Sequence, residues 1–165
     1  MKKLLLSLLL TLPLCGFAQK GMQGVGVSFG SGQDFSYGMN APKFGVNYQQ
    51  YRTDRLKIAY SFEYYEAAFD YDYYYEYEYE FFSLLGVDVN YFLNDVRRFR
   101  PYGVGGLRFG FGGTYSDSWL IGGVKLGIGF DYRLGYHWTA QFELPLYIAD
   151  YVGCFIPTFG IAYNF

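Results

Sequence analysis

Seven charged side chains fall on the small and polar parity of strand-like alternating stretches: Glu63, Asp88, Arg108, Lys125, Asp131, Arg133 and Glu143. The other parity of the same stretches carries bulky Leu, Ile, Val, Phe and Tyr. Side chains alternate across a strand with a period of two, so these charges share a face with Gly, Ala, Ser, Asn and Gln and not with the aromatics. Carboxylates and cations gathered on one enclosed face are suited to ion pairing, with arginine–carboxylate geometry favoured. Such a set would either plug a narrow interior or gate a narrow pore for ions or small solutes. Counted from the expected turns, Glu63, Arg108, Lys125 and Glu143 share a middle depth. Asp88, Asp131, Arg133 and Lys57 are expected lower.

Other chemistry has little to work with. The single histidine, His137, stands beside Trp138 in an expected turn and has no nucleophile at matching depth. No triad can be assembled, so no catalytic residue is assigned and no enzyme is expected. Cys and His show no metal-ligand spacing, and the glycines alternate with bulky residues instead of forming a phosphate-binding loop. No cofactor and no metal site are expected. Residues 64–82, YYEAAFDYDYYYEYEYEFF, alternate Tyr with acids and read as an extended hairpin. Tyr71, Tyr73, Tyr74, Tyr75 and Tyr77 are the candidate surface for an extracellular protein or glycan partner, because Tyr supplies rigid amphipathic contact area. Clustered carboxylates there could also attract Ca2+, and a solvated hairpin with aromatic cross-strand pairs is the plain alternative.

These residues need strands to hold them. Aromatics make up 24% of the 165 residues, with 20 Tyr, 17 Phe and 22 Gly, a composition that favours strands over helices. Residues 1–18, MKKLLLSLLLTLPLCGFA, have a basic start, an apolar core and a small-residue site, the pattern of a secretory signal peptide. The apolar run is too short for a spanning helix, and Leu14 before Cys15 argues against a lipoprotein signal. Residues 19–165 would then form the mature domain. Its acidic excess, widened by loss of Lys2 and Lys3, gives no footprint for nucleic acid. Cys154 would be its one cysteine, so no internal disulfide could form.

From residue 24 onward eight alternating segments can be counted, each about as long as a tilted bilayer-spanning strand. Tyr102 and Val104 lie on one parity and Leu107, Phe109 and Phe111 on the other, so Gly105-Gly106 reads as a possible β-bulge. An even count with both ends on one side predicts an all-β, eight-stranded antiparallel up-and-down barrel. A barrel of eight strands is just wide enough to be filled by side chains. The small and charged parity fits inside, and the bulky parity must face out, where lipid accepts it. Tyr91, Tyr102, Tyr132, Trp138, Tyr163 and Phe165 are expected in a periplasmic aromatic belt, and Phe29, Tyr77, Phe111, Trp119 and Phe155 in an outer one.

The signal peptide, the eight segments and the final Ile161-Ala162-Tyr163-Asn164-Phe165 together resemble the small outer-membrane β-barrel proteins of Gram-negative bacteria, on the plan of the OmpA/OmpX barrels. The Arg100-Pro101-Tyr102-Gly103-Val104-Gly105 segment is similar to the start of a mid-barrel strand in such families. The resemblance implies residence in the cell outer membrane, as a monomer in contact with outer-membrane lipid and without a periplasmic domain. It implies that Ile161, Tyr163 and Phe165 act as the signal read by the barrel-assembly machinery. It does not select among adhesins, pores, structural anchors and the few lipid-modifying enzymes of this class. A structural or surface-interaction role is expected, with a narrow pore as the alternative.

Overall fold

The computed structural model describes residues 21–34, 40–70, 77–94, 98–113, 117–149 and 152–165. Its strands are β1 (Gln23–Asp34), β2 (Asn40–Tyr51), β3 (Leu56–Asp70), β4 (Tyr77–Phe92), β5 (Phe99–Gly113), β6 (Ser118–Arg133), β7 (Trp138–Ala149), β8 (Val152–Phe155) and β9 (Thr158–Asn164). The last two are halves of one stave. Leu146↔Phe155 and Glu143↔Thr158 keep a single register on β7, and Gln33↔Phe155 and Gly30↔Thr158 keep one on β1. The eighth stave is interrupted at Ile156–Pro157, where proline has no N–H to give to a ladder. β1 pairs with β2 on one side and with β8 and β9 on the other, so the antiparallel sheet closes into an eight-stave barrel.

Closure and alternation sort the side chains. Leu107 is 66% exposed and Phe159 65% on the outer wall, whereas Glu63 is 3% and Lys125 2% exposed within. An apolar exterior over a charged interior is the reverse of a soluble barrel, and lipid is the solvent that accepts it. Phenylalanines continue across this wall, with ring centroids 5.0 Å apart for Phe99–Phe130, 5.4 Å for Phe130–Phe142 and 4.6 Å for Phe142–Phe159.

One end of the barrel carries short turns, and we call it the turn end. In the turn from β2 to β3, Thr53 Oγ1 accepts from Arg55 N at 3.2 Å. Asn94 Nδ2 donates to Phe99 O across the turn from β4 to β5 at 3.0 Å. Leu134 N donates to Trp138 O at 2.9 Å before β7. At the opposite, loop end, β3 and β4 outrun their neighbours. Glu66 to Asp70 pair only with Tyr77 to Phe81 on that hairpin, because β2 pairing stops at Tyr65 and β5 pairing begins at Phe81. Tyr71, Tyr73, Tyr74 and Tyr75 lie outside the described residues, as does the expected signal peptide, and Tyr77 opens β4.

Two expectations need correction. No bulge occurs at Gly105-Gly106: Val89↔Gly105 and Asp88↔Gly106 follow Gly86↔Arg108 and Val87↔Leu107 in one unbroken register. Tyr102 and Val104 therefore share the parity of Arg108 and point inward, so Tyr102, 1% exposed, is no part of an interfacial belt. The physical reason is that the lumen is apolar near its ends. Tyr91, Tyr132, Trp138, Tyr163 and Phe165 do stand outward at the turn end.

Candidate functional site: the charged lumen

Six strands each send one charged side chain into the middle of the barrel. Lys43 Nζ donates to Glu63 Oε1 at 3.0 Å. Arg108 Nε donates to Glu63 Oε2 at 3.0 Å and Nη2 to Oε1 at 3.1 Å. The other side of the same guanidinium donates to Asp88, Nη1 to Oδ1 at 2.6 Å and Nη2 to Oδ2 at 3.0 Å. Lys125 Nζ then bridges Asp88 Oδ2 at 2.9 Å and Glu143 Oε2 at 2.5 Å. The chain Lys43–Glu63–Arg108–Asp88–Lys125–Glu143 thus alternates in sign and sums to zero. Tyr65 donates to Glu63 and Tyr102 to Glu143, so the carboxylates have additional donors. A buried charge without such partners would cost several kcal/mol, about what breaking one pair costs.

A second network lies toward the turn end. Lys57 Nζ donates to both oxygens of Asp131, at 3.0 and 2.9 Å. Tyr51 donates to Asp131 Oδ2 at 2.9 Å. Gln141 Nε2 reaches Asp131 Oδ1 at 3.3 Å and Gln49 Oε1 at 2.9 Å. Gln49 Nε2 donates in turn to Asn164 Oδ1 at 2.9 Å, and Asn164 Nδ2 to Thr139 Oγ1 at 2.9 Å. This polar run ties the last strand to β2 and β7 from within.

Both ends of the lumen are plugged. At the turn end Tyr51, Phe92, Tyr102 and Val104 pack together. The Arg100 guanidinium lies 3.7 Å from the Phe92 ring centroid, and Lys57 Nζ 4.8 Å from that of Tyr102. Cations over aromatic faces in a desolvated site are favourable. At the loop end Tyr65, Leu84, Tyr147 and Ile156 form a second plug. Between the plugs is a polar cavity of about 40 Å³ lined by residues such as Asn47, Ser61, Asn90 and Gln141. That is room for about three waters. Asn47 Oδ1, Ser61 Oγ and Asn90 Oδ1 have no protein partner among the described residues, which suits the space to water.

The sequence-selected charges divide as follows. Glu63, Asp88, Arg108, Lys125 and Glu143 meet in the first chain, and Asp131 is in the second. Asp88, expected a layer lower, reaches the first chain because the long Arg108 side chain spans the offset. Arg133 is half-buried at the end of β6 and makes no ion pair among the described residues. Sequence reading missed Lys43 and Arg100. Lys43 shares the parity of Gly45, Asn47 and Gln49, which was a usable signal. Arg100 shares the parity of Arg108 once the slip at Gly105-Gly106 is removed. His137 packs on Tyr163 with ring centroids 5.4 Å apart and bonds Asn164 O through Nδ1 at 2.9 Å. Ile161, Tyr163 and Phe165 all face outward. Among the described residues no cluster of His, Cys, Asp and Glu is arranged to hold a metal.

A closed eight-stave barrel with an apolar wall and a charged lumen defines the class: this is an outer-membrane β-barrel fold. The N-terminal β-barrel domain of OprF from Pseudomonas aeruginosa matches with a TM-score of 0.56 at 17% identity, covering 88% of this chain and 100% of that one. Ail, the attachment invasion locus protein of Yersinia pestis, solved with the heparin analogue sucrose octasulfate, matches with a TM-score of 0.58 at 14% identity, over 88% and 97%. Neisserial surface protein A matches with a TM-score of 0.60 at 12% identity, also over 88% and 97%. No protein-family model matches the chain, and no curated protein is significantly similar to it in sequence.

Proposed function

We propose that this protein is a non-conducting, non-catalytic outer-membrane barrel that serves as a scaffold for surface interaction at its loop end. The observation that carries this reading is the filled lumen. An ion-pair chain contributed by six strands lies between two packed plugs, with a cavity of only about 40 Å³ remaining. Functional groups held this tightly are not free to serve a passing solute, so the outer surface is left as the working part. Purified protein in planar bilayers should give no single-channel steps, and steady unitary conductance in the wild type would overturn the reading.

The projecting β3–β4 hairpin is the surface proposed to meet a protein or glycan partner. Charge narrows the choice of partner. By sequence, the strand ends and connections of the loop end carry Asp34, Glu66, Asp70, Asp72, Glu76, Glu78, Glu80, Asp117 and Asp150, and no Lys or Arg. A sulfated sugar like the one in the Ail complex would meet like charge there. The chemistry favours a neutral or cationic partner. Removing residues 70–76 should abolish cell-surface binding of such a partner while leaving heat-modifiable gel migration intact. Unchanged binding by that deletion variant would exclude the hairpin.

A further inference from the structure

The small net charge of −2 conceals a separation of charge along the barrel axis. Every described cation lies either in the lumen or at the turn end. Lys43, Lys57, Arg108 and Lys125 are the buried lumen set, and Arg100 is folded in against Phe92. That leaves Arg52, Arg98 and Arg133 as the rim guanidiniums of the site, with Arg55, engaged by a contact of its own, in the same turn as Arg52. Backbone contacts join them into one arc. Phe92 N donates to Arg55 O at 2.8 Å, Arg133 N to Arg98 O at 2.9 Å, and Leu93 N to Pro101 O at 2.9 Å. Arg100 also donates to Asp54 O, tying the first turn to β5. Asp54 is the one described carboxylate on this arc, since Asp131 belongs to Lys57. In the sequence between, Arg97 and Asp95 cancel.

The arc stands where the apolar wall ends. Tyr91, Leu93, Phe99, Tyr132 and Leu134 are all outward and exposed. The exposed Arg98 precedes Phe99 in the chain, and Arg133, on the inward parity of Asp131, stands half-buried at the lumen mouth at the level of Tyr132 and Leu134. An amphiphile lying along Tyr91, Phe99 and Tyr132 would therefore bring its headgroup to the level of the guanidiniums. We propose that this arc is a binding site for anionic phospholipids of the phosphatidylglycerol type. Guanidinium forks take the phosphate oxygens in pairs, the arginine stems lie along the wall, and the acyl chains occupy the aromatic surface beside them. A soluble polyanion would use the charges and leave the wall idle, so the juxtaposition of both favours a lipid. Each arginine near an anionic membrane surface gives about a five-fold preference.

The test uses the full chain folded into phosphatidylcholine vesicles containing trace spin-labelled lipid. The ratio of association constants for labelled phosphatidylglycerol and phosphatidylcholine is read from the motionally restricted fraction. Wild type should prefer phosphatidylglycerol by about five-fold or more at low salt, and the preference should shrink as salt screens it. Arg52→Gln, Arg98→Gln and Arg133→Gln combined should bring the ratio close to one, with heat-modifiable migration reporting an intact barrel. Arg98→Gln alone, the mildest variant, should lower it part of the way. A ratio near one in wild type, or an unchanged ratio in the folded triple variant, overturns the site. Complete displacement of the labelled lipid by millimolar inorganic phosphate would also overturn it, because the apolar wall would then contribute nothing.

Discussion

Arg108 lies directly against Gly86, its register partner across β4 and β5. A Cβ added to Gly86 would sit 2.4 Å from Arg108 Nη1 and 2.5 Å from Ser61 Oγ. The far end of an arginine can usually swing aside. This one is held by four hydrogen bonds to Glu63 and Asp88. Gly86→Ala should therefore destabilise the barrel by about 2 kcal/mol or more through partial loss of these charged bonds, although Ala suits a strand better than Gly. Urea unfolding from lipid vesicles measures it, and a neutral or stabilising effect would mean that the guanidinium has another place to go.

Arg108 is also the link that two carboxylates share. Arg108→Met leaves Glu63 with Lys43 and Tyr65, and Asp88 with Lys125, each short of donors in a buried site. A loss of about 3–5 kcal/mol is expected, as for other broken buried pairs. The turn-end plug is untouched by this change and the loop-end plug loses only the Arg108 contact on the Tyr147 ring, so the variant should remain electrically silent in a planar bilayer. Channel steps from Arg108→Met would assign the seal to the charges and not to the plugs.

The break in the eighth stave has a local compensation. The shared register of β8 and β9 puts Ile156 opposite Pro145, and Ile156 N reaches Pro145 O at a long 3.4 Å. Pro145 has no N–H to return to Ile156 O. The Thr158 hydroxyl donates to that carbonyl instead, at 2.8 Å, and Thr158 is buried. Thr158→Val keeps the shape and removes the donor, so it should cost about 1–3 kcal/mol for the carbonyl left unpaired. Thr158→Ser should restore most of the loss. Equal stability of the Val and Ser variants would show that the hydroxyl is idle.

The strand count and the two faces were legible because alternation is a direct record of which side of a barrel wall a residue occupies. Glu63, Lys125 and Leu107 illustrate how plainly. The record fails where the interior stops being polar. Tyr102 and Val104 are apolar and inward, and reading them as outward required an extra residue at Gly105-Gly106 that the ladder does not contain. The same error hid Arg100, whose inward placement beside Phe92 depends on the true register. Lys43 was missed although it continues the inward parity of Gly45, Asn47 and Gln49 toward the start of β2 at Asn40. The joining of Asp88 to Arg108 depends on side-chain reach, which depth counted along a strand does not contain.

The turn-end plug leads to a last experiment on the lumen. Phe92 is fully buried, with Tyr51 at 6.0 Å, Tyr102 at 5.2 Å and Arg100 at 3.7 Å from its ring centroid. Phe92→Ala should cost about 3–5 kcal/mol, since a cavity replaces a ring that holds its neighbours in place. It also removes one of the two rings, with Tyr51, that meet both cations of the plug, Arg100 and Lys57. Above it the alternating chain from Lys43 to Glu143 still crosses the lumen, so this variant alone should pass no current. Combining Phe92→Ala with Arg108→Ala opens the turn-end plug and removes the central link, leaving the Lys57–Asp131 network and the loop-end cluster of Tyr65, Leu84, Tyr147 and Ile156 across the lumen. Brief channel openings are expected from the pair and from neither single variant. Current through Phe92→Ala alone would mean that the ion-pair chain does not seal the barrel.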